Sequence, residues 1–124
     1  MRYTPDNITE LAENEVFCFG SNLSGKHGKG AALQAYRHFG AEYGVGEGLT
    51  GRCYAFPTLD YNLNQRTDAE LTESIVKLID TANANPELVF LLTKVGCGLA
   101  GYPEQYMHSL FYEMPLNIVK PEGW

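Results

Sequence analysis

Twice in this chain of 124 residues an apolar run passes straight into a glycine-rich loop and then into a helix-forming stretch. The first instance is VFCFGSNLSGKHGKGAA, residues 16–32; the second is LVFLLTKVGCGLAGYP, residues 88–103. Glycine loses more conformational freedom on folding than any other residue. A loop that keeps several of them therefore uses their backbone freedom or their missing side chains. LVFLLT (88–93) is continuously apolar, as expected for a strand covered on both faces. Strands alternating with helices point to an α/β fold with a mixed, mostly parallel sheet.

The rest of the chain fits that alternation. Asn7 as N-cap with Glu10 three residues later predicts a short helix over NITELAENE (7–15). EVFCF reads as a buried strand, and a helix is expected over 31–39, closed by Gly40 at C′. GAEYGVGEGLTG (40–51) holds five glycines and reads as an irregular loop; RCYAF is a second strand, stopped by Pro57. TLDYNLNQR carries turn formers and receives no element. Thr67-Asp-Ala-Glu is a capping box, and Leu71, Ile75, Leu78, Ile79 and Ala82 form one apolar stripe behind it. Asn83 to Pro86 end that helix. Pro103 stands where an N1 proline opens a helix, with Tyr106, Met107, Leu110 and Phe111 on its inner face, and NIV (117–119) makes a last strand. Nothing divides the chain, so one domain spanning 1–124 is expected.

Composition narrows the chemistry. Cys18, Cys53 and Cys97 lack the paired spacing of a disulfide framework or a zinc site, and Cys18 and Cys53 read as buried thiols. No metal and no cofactor are expected. Nine basic residues against fifteen acidic ones give a net charge of −6, which argues against polymeric nucleic acid as a partner. No apolar run has the length of a membrane span and MRYTPDNITEL does not resemble a secretory signal. A cytoplasmic protein with no membrane partner is the expectation. A small anionic ligand remains open, because a few backbone N–H groups at a helix start hold a phosphate.

Both glycine loops leave the C-terminal end of a strand and enter a helix N-terminus. In open α/β sheets ligands bind at that edge, where unpaired N–H groups and the positive dipole end favour anions. Neither standard nucleotide fingerprint applies. GKHGKG is not G-x-G-x-x-G, and its lysine is not followed by Ser or Thr as in a P-loop. Lys26, Lys29 and Lys94 either neutralise a phosphate or are solvated surface lysines. Glu47 is a loop carboxylate with no assigned partner.

GCGLAGYP after an apolar strand resembles the phosphate loop of macrodomains, and HGKGAALQAYRHFG is similar to their other loop and helix. GCGL is closest to the subgroup that removes ADP-ribose from glutamate side chains; small phage and bacterial proteins are similar in GSNL-G-HG-GAA. The matches span residues 16–40 and 88–111. The resemblance implies a three-layer α/β/α sandwich, macrodomain-like, that binds ADP-ribose or a related nucleotide diphosphate at the strand ends. By position, Gly28, Gly30 and Ala31 would face the ribose and diphosphate. Gly96, Cys97, Gly98, Leu99, Ala100 and Gly101 would wrap the phosphates. Tyr102 matches the aromatic beside the distal ribose, and Asn22 an asparagine that hydrogen-bonds it.

The chain departs from the hydrolytic subgroup at two places. An aspartate follows the leucine there, where this chain has Ala100, and the subgroup's lysine near an earlier strand end falls on Thr58 or Leu59. Neither Ala100 nor these can act as base or amine nucleophile. The alternative function, an ADP-ribosyl or nucleotide-phosphate hydrolase, therefore needs another catalytic set: His27 as acid or base, Asp60 orienting a water, and Asn22. His27 is otherwise an exposed loop histidine, and Asp60 part of an ordinary turn. A Cys97–histidine pair, with His27 or His108, is a further chemical option.

Overall fold

The computed structural model describes residues 2–124. Its elements are β1 (Glu15–Asn22), α1 (Gly30–His38), β2 (Gly48–Thr50), β3 (Cys53–Leu59), α2 (Asp68–Ala84), β4 (Val89–Leu92), α3 (Glu104–Leu110) and β5 (Ile118–Val119). The five strands form one sheet in the order β2-β3-β1-β4-β5. β1 pairs in parallel with β3 and β4, and β4 with β5; only the short β2 runs antiparallel, against β3. This is an α/β fold with a mixed, mostly parallel sheet.

Alternation along β1 sends side chains to two buried clusters. Val16 and Cys18 join Tyr54, Phe56, Phe90 and Leu92 with Leu71, Ile75 and Leu78 of α2 and Met107 of α3. Phe17 and Phe19 join Cys53, Ala55 and Leu91 with Ala35 of α1 and Phe39. The stripe read along α2 faces the first cluster, with Ile79 partly buried at its margin. Cys18 and Cys53 are fully buried thiols, and burial pushes Cys53 up to about 12 and raises Cys18 further. Among the described residues no helix is long and apolar enough to cross a membrane.

Four expectations differ in detail. NITELAENE forms no helix. Ile8 is buried beside α1, and tertiary donors take the carbonyls a helix would use: Gln34 bonds Ile8 O, and Arg52 bonds Leu11 O and Ala12 O. Ile8, Leu11 and Ala12 in so short a segment cannot outweigh those bonds and the cost of nucleating a turn. Second, β3 runs through Pro57 to Leu59. Phe17 N–H bonds Arg52 O, so even-numbered residues of β3 face β1 and Pro57 faces the other edge. There β2 pairs no further than Ala55, so no ladder donor is missed. Third, β2 lies within the glycine-rich 40–51 loop, a three-residue edge strand returning through Gly51 and Arg52. Fourth, Pro103 is the N-cap of α3, one residue earlier than N1. Gly40 does follow α1, at φ +79.

The topology concentrates loops at one edge. β1, β3 and β4 are parallel, so the segments leaving them all emerge at the same end of the sheet. From β1 the chain proceeds to β3 on one side; from β4 it proceeds to β5 on the other. Adjacent strands whose connections diverge leave a crevice between them.

Candidate functional site

That crevice is a cavity of about 760 Å³ at the C-terminal ends of the three strands. β1 and the loop after it contribute Gly20, Ser21, Asn22, Lys26, Gly28 and Lys29, and the start of α1 contributes Gly30, Ala31 and Ala32. Tyr43 enters from the loop after α1, and Thr58, Leu59 and Leu63 from the end of β3. The loop after β4 supplies Thr93 to Gly96 and Gly98 to Ala100.

The first wall is a helix start without a cap. Lys29 is the N-cap of α1, extended at φ −150 and ψ 158, and its side chain accepts no hydrogen bond. The first intrahelical amide is that of Leu33, bonded to Lys29 O at 3.2 Å. Gly30, Ala31 and Ala32 therefore carry amides with no helical partner. No acidic residue stands in this turn to compensate the dipole.

The second wall is a loop wound on its own backbone. Val95 N bonds Thr93 O, Cys97 N bonds Lys94 O, Gly101 N bonds Gly98 O and Tyr102 N bonds Gly96 O, at 2.7–3.2 Å. The amides of Gly96, Gly98, Leu99 and Ala100 find no acceptor among the described residues, and these four residues all line the cavity. Gln65 Nε2 bonds Ala100 O at 2.8 Å and ties this loop to the turn after β3. Tyr102 fixes its base, its hydroxyl donating to Thr58 O at 2.7 Å and accepting from Arg66 N at 2.7 Å.

Gly28 and Gly98 differ from the other loop glycines. Neither adopts positive φ, and a Cβ at either would meet no protein atom within 4 Å. The fold itself does not demand glycine there, and both residues face the cavity. Gly30 and Gly96, by contrast, sit at φ +59 and +80, a backbone requirement in its own right.

Electrostatics favour anions. Lys26, Lys29 and Lys94 line the cavity, three of the nine basic residues of a chain with net charge −6, and no lining residue is a carboxylate. Lys94 Nζ lies 2.9 Å from Glu104 Oε1, and that hydrogen bond raises the lysine and lowers the carboxylate from their ordinary values.

Of the residues picked from sequence, Asn22, Gly28, Gly30, Ala31, Gly96, Gly98, Leu99 and Ala100 line the cavity; His27, Asp60, Cys97, Gly101 and Tyr102 do not. His27 is not an exposed loop histidine. It is 1% accessible, with Nε2 3.0 Å from Glu42 O and Nδ1 without a partner among the described residues. Asp60 Oδ1 accepts from Asn62 N and Asn64 N and shapes its own turn, in which Leu63 adopts φ +64. Asn22 reaches the cavity but braces its loop: Oδ1 accepts from Ser24 Oγ and Lys26 N, and Nδ2 donates to Lys26 O. Cys97 packs partly buried against the α2-side cluster, and burial raises its thiol, with Glu104 adding and Lys94 opposing. An activated nucleophile needs the opposite shift. Glu47 is paired with Lys77 at 3.4 Å.

Sequence reasoning missed Ser21, Tyr43, Thr58, Leu63 and Thr93. The hydroxyls are occupied with backbone: Ser21 Oγ bonds Gly46 O, Thr58 Oγ1 bonds Ser21 O and Thr93 Oγ1 bonds Cys18 O. No motif marks Tyr43 or Leu63, which arrive through long-range placement of two loops. A scan against protein-family models, a search of curated proteins and a search of solved structures found no match to this chain.

Proposed function

We propose that this cavity binds ADP-ribose or a related nucleotide diphosphate, in a macrodomain-like three-layer α/β/α arrangement. The observation that carries the reading is a set of amides without a partner among the described residues, at Gly30–Ala32 and at Gly96, Gly98, Leu99 and Ala100, all on residues of one cavity. Preorganised N–H groups are suited to phosphate oxygens, and a helix N-terminus adds a favourable dipole. Three lysines supply the counter-charge, and Gly28 and Gly98 leave room for close approach. A volume of about 760 Å³ falls within the range of small-molecule and cofactor sites. Binding is the reading favoured over turnover, because His27 and Asp60 stand off the cavity and the Asn22 amide is engaged within its own loop.

Isothermal titration calorimetry with ADP-ribose, AMP and ribose 5-phosphate tests this reading. Micromolar affinity for ADP-ribose, with both monophosphates at least about tenfold weaker, is expected, since each phosphate wall then contributes on the order of a kcal/mol or more. No heat from any of the three with folded protein would remove it.

A further inference from the structure

Tyr43 is a large aromatic residue, 58% exposed, on the rim of a cavity whose neighbouring wall is built for anions. Exposure of one tyrosine is ordinary; here the ring also packs edge-on against two others. Four rings run outward from the core in sequence. Phe19, fully buried, contacts His27 edge-on at 5.2 Å and 86°. His27 meets Tyr43 at 5.9 Å and 70°, and Tyr43 meets Tyr36 at 5.6 Å and 74°. The backbone is held on both sides: Glu42 N bonds Thr50 Oγ1 at 2.7 Å and Gly44 N bonds Gly25 O at 2.8 Å. His27 is itself fixed by its bond to Glu42 O. The ring is therefore backed by other rings and by a tied backbone, which lowers the cost of ordering it under a ligand.

We propose that Tyr43 is the stacking platform for the planar base of the bound nucleotide. The inference rests on the diphosphate reading above. It assigns His27 a positioning role, as the buried ring that backs Tyr43, in place of proton transfer. The chemistry favours a base at this place for two reasons. Tyr43 lines the same cavity as Lys26, Lys29 and the open start of α1, so a ring stacked there and a phosphate held there belong to one ligand. Tyr43 is also the one aromatic ring among the described residues that line the cavity, so a stacking face for a planar base is offered at this place.

The test compares ADP with inorganic pyrophosphate by calorimetry on wild type, Tyr43→Phe, Tyr43→Ser and Tyr43→Leu. ADP should bind wild type about tenfold more tightly than pyrophosphate, the scale of one base–aromatic stack. Tyr43→Ser and Tyr43→Leu should each lose about that factor for ADP and keep pyrophosphate affinity within about twofold, while Tyr43→Phe keeps both. Two variants guard against a loop disturbance peculiar to either. The proposal is overturned if ADP binds wild type no better than pyrophosphate. It is equally overturned if both variants retain full ADP affinity, or lose both ligands alike. Should wild type bind neither ligand, the phosphate seat fails and the platform with it, an outcome distinct from pyrophosphate binding without a gain from the base.

Discussion

The N-termini of α1 and α2 are built in opposite ways. At α2, Thr67 accepts from Glu70 N at 3.2 Å, Glu70 Oε1 accepts from Thr67 N at 2.9 Å, and Asp68 and Glu70 put negative charge in the first turn. The Glu70 carboxyl is held below its ordinary value, chiefly by the Thr67 backbone bond. At α1 the cap is Lys29, which can donate but not accept, and the first turn has no acid. A nine-residue helix that leaves its start uncapped and surrounds it with lysines forgoes stabilisation that its neighbour has. The difference makes sense where an external anion completes the α1 end. One helix start is closed by the protein's own side chains; the other is open, as the proposed diphosphate site requires.

Exchanging the two designs should give the largest effect. Lys29 already has the extended backbone of a capping residue, so Lys29→Asp can place a carboxylate on the free amides of α1. The variant should lose diphosphate affinity at least about tenfold, through occupied amides and reversed charge, while gaining up to about 1 kcal/mol in stability. Thr67→Ala should behave inversely, losing about 1 kcal/mol with ligand affinity unchanged. Calorimetry and urea melts on both proteins measure this crossing. Unaltered diphosphate affinity in Lys29→Asp would mean that the open start of α1 is not an anion seat.

How far this contrast was legible in sequence depends on what is local. The capping box Thr67-Asp-Ala-Glu and the stripe from Leu71 to Ala82 are spelled out within one helix, and they appear as read. So do β4 in LVFLLT and Gly40 after α1, because apolar continuity and a positive-φ glycine are short-range signals. NITELAENE carried an equally local signal and failed, since its carbonyls are claimed by Gln34 and Arg52 from distant elements. Pro57 misled because its cost depends on whether a neighbour strand reaches it, which is a matter of sheet register. At the site, the glycines of both loops pointed to the cavity. Which titratable groups face it did not follow from proximity in sequence. His27 lies between two cavity residues, Lys26 and Gly28, yet its ring turns inward onto Phe19.

The second loop differs from the start of α1 in that its amides are freed by winding and not by a missing cap. Gly28→Val and Gly98→Val probe the two walls with the same intrusion. Neither new side chain meets protein within 4 Å of its Cβ, and neither backbone is in the left-handed region. Both proteins should fold with stability within about 0.5 kcal/mol of wild type, as surface substitutions do. Each should lose diphosphate affinity about fivefold or more, an effect of about 1 kcal/mol. Gly30→Val is the wrong probe, because its φ of +59 adds backbone strain that mixes folding with binding. Loss at Gly28 alone would leave the uncapped helix as the whole anion seat and make the second loop only its frame.

The smallest effect is expected at Lys94, a cavity lysine that is already paired. Lys94 is raised above its ordinary 10.5, first by its hydrogen bond to Glu104, and Glu104 is lowered below 4.5, first by Lys94 and then by Trp124. The carboxylate's contribution to stability is present above 4.5 and fades as pH falls through its lower folded value. The lysine's is present below 10.5 and fades only as pH rises through its higher folded value. Between those limits the pair is closed, and Glu104 offsets part of the charge Lys94 offers the cavity. Glu104→Gln should therefore raise diphosphate affinity roughly two- to threefold at neutral pH and low salt, and less at high salt where exposed charges are screened. Wild type should gain the same factor only as pH falls through the lowered folded value of Glu104, below its ordinary 4.5, whereas Glu104→Gln should show no such rise. Calorimetry on both proteins from neutral pH to well below the ordinary carboxylate value reads the difference, and parallel profiles through the protonation of Glu104 would mean that Lys94 does not reach the ligand.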